Sequence, residues 1–112
     1  MSLTYGWEKL YSACYDSVGS AESPQKRLAG AVAYGIIHLR RENLPTDETW
    51  ERVAKLIQAT TCKPAKGDEG TITATTSQMT DEEAGKWLRE IMSILIEVAE
   101  AHGSRVALAY SN

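Results

Sequence analysis

The chain has 112 residues, 43% hydrophobic and 24% charged, the composition of one ordinary globular domain, with enough length for a real core and too little for two. Twelve Lys and Arg against fifteen Asp and Glu leave a formal charge of -3, so the composition carries neither a broadly basic nucleic-acid footprint nor a strongly acidic one. Cys14 and Cys62 form no CxxC and no Cys/His cluster, which argues against a zinc site and a disulfide framework and makes a reducing, cytoplasmic setting the expectation.

The segment from Met1 to Lys9 lacks the charged and apolar regions of a secretory signal. The greasiest stretch, Ile91 to Ile96, is far short of the roughly 20 residues that cross a bilayer. Both observations predict a soluble chain with no membrane partner.

On a helical wheel Leu3, Trp7, Leu10, Tyr11, Cys14, Tyr15 and Val18 share one stripe, opposite Glu8, Lys9, Ser12 and Asp16, which predicts a first amphipathic helix ending near Gly19. Ser23 followed by Pro24 is a start signal: the hydroxyl can accept from the first turn, and proline's missing N–H costs nothing there. The second predicted helix runs from Pro24 to about Glu42, stopping before Asn43-Leu44-Pro45 because proline disfavours helical geometry in the residue before it. Thr46 or Asp47 caps a third, carrying Trp50, Val53, Ala54 and Ile57 on one face to about Ala59.

Helical periodicity disappears from Thr60 to Met79. Turn residues and the β-branched run Thr71 to Thr76 predict a long Thr-rich loop with room for one short strand. Thr80-Asp-Glu-Glu83 is a capping box opening a long fourth helix, with Gly103 as its expected C-terminal cap. The tail from Val106 to Tyr110 is apolar enough to pack, in a conformation its pattern does not specify. The expected fold is all-α: a four-helix up-and-down bundle forming a single domain over residues 1–112, with the Thr-rich loop between helices three and four.

Two helices carry more apolar surface than a simple bundle requires. Leu28, Ala29, Gly30, Val32, Ala33, Gly35, Ile36, Ile37 and Leu39 cover about 220° of the second wheel, and Met92 and Ile96 widen the fourth helix's arc to about 200°. Either these helices form the centre of the bundle, or the excess is an interface with a protein partner or another copy of the chain; Gly30, Ala33 and Ile37 then mark the closest approach.

Arg27, Tyr34, His38 and Arg41 fall in one polar sector of the second helix, where two guanidinium groups, an aromatic and an imidazole could grip an anion or an acidic loop. The same pattern also suits a solvated face with cations near a helix C-terminus. Ile72 would lie on the edge of the possible strand, open to β-augmentation. His102 reads as a C-terminal-turn histidine satisfied by free carbonyls, Cys14 as inert packing, and Cys62, beside Lys63, as a candidate reactive thiol.

The carboxylates form no catalytic set. Glu90, Glu97 and Glu100 fall on the wet face of the fourth helix, Glu83 is used by its cap, and neither a phosphate-binding loop nor a nucleophile motif occurs. No cofactor and no metal is expected. The expected function is a small non-enzymatic protein–protein interaction domain, a regulator, inhibitor or assembly component acting through apolar helix faces and a flexible loop. Two alternatives remain: a nucleic-acid-associated protein using the basic and aromatic stripe of the second helix, and a small-molecule binder or enzyme whose site has no recognisable motif.

Overall fold

Three side-chain caps set the helix starts. Ser23 Oγ accepts from the Lys26 amide at 3.2 Å, and Thr46 Oγ1 from the Thr49 amide at 3.1 Å. Thr80 and Glu83 complete the reciprocal box, Glu83 N donating to Thr80 Oγ1 at 3.0 Å and Thr80 N to Glu83 Oε1 at 2.9 Å. The structure is a computed structural model that describes residues 2–110; Met1, where the leader reading begins, and residues 111–112 lie outside it. The helices are α1 (Ser2–Gly19), α2 (Pro24–Tyr34), α3 (Asp47–Thr60), α4 (Gly70–Thr76) and α5 (Asp81–Tyr110). The described residues are all-helical with no strand.

Four expectations about these elements need correcting. First, α2 ends at Tyr34 rather than near Glu42, and the chain continues through short 3-10 turns at Ile36–His38 and Arg41–Asn43. Gly35 lies so close to α1 that a Cβ there would stand 3.1 Å from both the Ala13 Cβ and the Lys9 carbonyl oxygen. Beyond it, Ile36 and Leu39 turn fully into the core. Burial of two large side chains, about 1.5–3 kcal/mol each, outweighs the few tenths per residue that continued helix would supply.

Second, the Thr-rich segment holds a helix, α4. A single strand here would leave its backbone unpaired. As a helix it satisfies itself, with Thr75 Oγ1 donating to the Thr71 carbonyl at 2.7 Å and accepting from the Lys63 amide at 2.9 Å, and it buries Ala74, Thr75 and Thr76. Intrinsic β preference is a weak term beside burial of this kind. Third, α5 passes through Gly103 and extends to Tyr110. One glycine costs about 1 kcal/mol in a helix interior, and Arg105 to Leu108 carry no breaker that would add to it.

Fourth, α1 is rotated relative to its expected stripe. Leu3, Leu10 and Cys14 are buried together with Gly6 and Ala13, while Tyr11, Tyr15 and Val18 are exposed. The small residues Gly6 and Ala13 let α1 approach its neighbours on that side, and close packing there turns the larger side chains outward.

The core gathers Leu10, Leu28, Val32, Ile36, Leu39, Val53, Leu56, Ile91, Ile94 and Val98, all essentially inaccessible. α1 and α5 are antiparallel: Thr4 near the start of α1 bonds His102, while Val18 near its end shares a cleft with Leu88 and Met92. α3 also opposes α5. Arg52 binds Glu90 through two nitrogens at 2.9 and 3.0 Å and reaches Ser93 and Glu97, and the Thr49 hydroxyl donates to Glu97. Gln25, in the first turn of α2, holds the Met79 carbonyl and Asp81, tying the starts of α2 and α5 together.

At 30 residues α5 is about 45 Å long against about 27 Å for the 18 residues of α1. Its last two turns therefore stand beyond the body, which measures 55 × 26 × 22 Å overall, and residues 103–108 are exposed.

Candidate functional site

A groove lined mainly by apolar side chains lies between α1 and α5. Tyr11, Cys14, Tyr15, Val18, Met92 and Leu95 line about 440 Å³ of it. Tyr15 is 66% exposed and Val18 75%, and Ile96, outside the lining and one turn beyond Met92 on α5, is 53% exposed. A soluble monomer scatters single apolar residues over its surface, whereas contiguous apolar area of several hundred Å² marks a contact site.

The wall contributed by α1 is stiffened by ring stacking. Tyr15, Tyr11, Trp7 and His102 form a column with centroid separations of 5.9, 5.5 and 5.2 Å, the Trp7 and His102 planes only 5° apart. Residues 7, 11 and 15 recur at i, i+4, so the helix itself places the three aromatics one above another. His102 closes the column through its bond to Thr4 Oγ1 at 3.1 Å. It is thus a mid-helix residue bonded to α1, in place of the helix-end histidine expected. Burial pushes the Cys14 thiol, at the base of the groove, above its ordinary value, which suits packing and not reactivity.

The residues singled out on the second helix are spread over three elements. Arg27 and Tyr34 are on α2, His38 is exposed in the first 3-10 turn, and Arg41 lies in the second, bonding Asp47 at 2.6 Å and the Leu44 carbonyl at 2.9 Å. The anion-gripping stripe presupposes one continuous helix, whereas the break at Gly35 puts His38 and Arg41 in separate 3-10 turns beyond α2. Tyr34 is 81% exposed, whereas Gly30, Ala33 and Ile37 are half-buried and Ile37 packs on the core. Most of the apolar excess expected of the second helix is absorbed internally, by Leu28 and Val32 on α2 and by Ile36 and Leu39 beyond it. Ile72, expected on a strand edge, is a half-buried residue of α4 that packs on the core.

A second cleft, of about 220 Å³, lies between α1 and α2 and is lined by Ser12, Asp16, Ser17, Lys26, Arg27 and Tyr34, among others. Arg27 Nε is buried there with no hydrogen-bond partner. Lys26 leans on Glu22 at 3.5 Å, and Asp16 brings a charge of opposite sign to the guanidinium, so the cleft does not converge on one ligand charge. Cys62 is exposed, its Sγ 3.8 Å from the Ala59 carbonyl. Among the described residues no three His, Cys, Asp or Glu are grouped to hold a metal ion, and no helix is long and apolar enough to cross a membrane.

No family model, curated protein or solved structure matches the chain.

The sequence had half of the groove in view. Met92 and Ile96 are surplus on their helix wheel, whereas Tyr11, Tyr15 and Val18 fall on the expected core stripe of the first helix. The available signal was the pair Gly6 and Ala13 on the opposite flank of that stripe, since small residues at helical spacing mark the side where a neighbour comes close.

Proposed function

We propose that the chain is a non-enzymatic protein–protein interaction domain whose contact surface is the groove between α1 and α5. The observation that carries this reading is the exposure of Tyr15, Val18 and Met92 along one apolar groove, with Ile96 exposed one turn further along α5. Covering such a surface releases ordered water and stabilises association by about 25 cal/mol for each Å² of apolar area removed. On this reading α1, α2, α3 and α5 form one up-and-down four-helix domain, with α4 as a short helical addition over α2 and α3. The free, exposed Cys62 is consistent with a reducing compartment. A regulator, inhibitor or assembly component needs no more chemistry than this surface provides.

The test is site-specific photo-cross-linking in cells of the source, with the photoreactive side chain at Ile96 and, as control, at Glu51 on the exposed part of α3. The expected result is one discrete adduct from position 96 and none from 51. Equal or absent adducts at both positions would overturn the assignment of this face.

A further inference from the structure

We propose that the occupant of this face is a second copy of the chain, docked across a two-fold axis with the two α5 helices antiparallel and Met92 of each against Ile96 of the other. The inference rests on the reading of the groove as an interaction surface and adds its partner.

The outer face of α5 carries Gly85, Arg89, Met92, Ile96, Ala99 and Gly103, alternately four and three residues apart. That is the spacing of a helix-pairing seam. Arg89, Met92, Ile96 and Gly103 are exposed, and Gly85 and Ala99 are half-buried. A seam of this kind pairs with itself when each side chain finds a complementary one in the reversed direction, as an isologous interface requires.

An axis level with Ile94 achieves this throughout. Met92 then faces Ile96 of the second copy, Arg89 faces Ala99, and Gly85 faces Gly103, so a long side chain lies over a small one and two glycines allow the backbones to approach. A Cβ on Gly103 would meet nothing within 4 Å, and one on Gly85 would meet only the end of the Arg89 side chain, so neither position is closed off by its own chain. Ile96 stands outside the groove as a projection. The reversed copy brings it to the hollow lined by Tyr15, Val18, Met92 and Leu95.

Charge selects both the direction and the register. Arg89 and Glu100 are exposed on this side of α5, about 16 Å apart along the helix. Neither has an ion-pair partner among the described residues. In the antiparallel register Arg89 of each copy, extended over Ala99, reaches Glu100 of the other, giving two symmetric pairs. A parallel arrangement sets Arg89 beside Arg89, and a shift of one heptad sets it against Val106, so the alternatives lose the pairing.

The experiment is sedimentation equilibrium over a dilution series for the wild type, Arg89→Glu, Glu100→Arg and the double variant carrying both. Circular dichroism first checks that each is folded. The expected result is a wild-type dimer, single reversals that each weaken self-association at least about tenfold by setting like charges together twice, and recovery in the double variant. A wild type that stays monomeric at every concentration, or a double variant no tighter than the singles, overturns the two-fold pairing. Photo-cross-linking at Ile96 then separates the levels: a monomer that yields one adduct with a different protein overturns the second copy and leaves the interaction surface standing, while a monomer with no adduct overturns both.

Discussion

Replacing Gly6 by alanine probes the contact that turns α1 and so exposes the groove. A Cβ at position 6 would stand 2.1 Å from the Asn43 carbonyl oxygen and 3.2 Å from the Asn43 Cβ, against the roughly 3.5 Å that non-bonded atoms prefer. The obstacle is backbone, in the 3-10 turn Arg41–Asn43, and cannot rotate aside. Relief requires α1 and that turn to separate by more than about 1 Å, loosening Leu3, Leu10, Leu39 and Leu44; overpacking of this kind costs about 1–3 kcal/mol or more. A clash this short against backbone calls for the upper end of that range, so after the about 1 kcal/mol that alanine returns through its helix propensity the net loss is about 2 kcal/mol, or roughly 8–12 °C in Tm. Gly30→Ala is the control, because nothing lies within 4 Å of a Cβ there, and it is expected to raise stability by about 0.5–1 kcal/mol. Thermal unfolding of both variants at one fixed protein concentration checks the pair. If Gly6→Ala is as stable as the wild type while Gly30→Ala gains, α1 does not sit against the turn as described.

Three further outcomes are expected. Hydrogen bonds from Arg52 hold the Glu90 carboxyl below the usual carboxylate range, with the opposing effect of burial smaller. A carboxyl depressed on folding contributes stability that is fully present above its unfolded value of about 4.3 and disappears as the pH falls through the folded value; Glu90→Gln should therefore flatten part of the decline of unfolding free energy between about pH 5 and 3, and an unchanged slope would show that the pair is not formed in solution. Folded protein should give one rapidly labelled thiol, Cys62, with Cys14 reacting only on unfolding; two fast thiols in mass spectrometry would mean the base of the groove is open. Ile37→Glu should lower stability by about 2 kcal/mol by setting a charge against the core, and a variant as stable as the wild type would mean that Ile37 faces solvent instead.

The parts of the fold that were legible are those decided within a few residues. Ser23, Thr46 and the Thr80/Glu83 box each act on an amide three positions away, so composition and spacing suffice to find them. The parts that were not legible are decided across the chain. Gly35 breaks α2 because α1 passes close beside it, the threonines of α4 become helical because α2 and α3 offer a surface to pack on, and Gly103 fails to stop a helix that has already run for six turns. The site divides in the same way. Met92 and Ile96 were visible as excess on one helix wheel, but which flank of α1 faces the core depends on the approach of Asn43 to Gly6, a contact between residues 37 positions apart.

Whether the groove between α1 and α5 is an interface between copies is tested most directly by the mass in solution of the wild type and of Ile96→Glu, measured at the same concentration, with melting curves recorded alongside. The expected result is twice the chain mass for the wild type and a single chain mass for Ile96→Glu, with the helical signal of the variant unchanged. Equal masses for the two proteins, whether monomeric or dimeric, would contradict the pairing of Met92 with Ile96 across the two-fold axis.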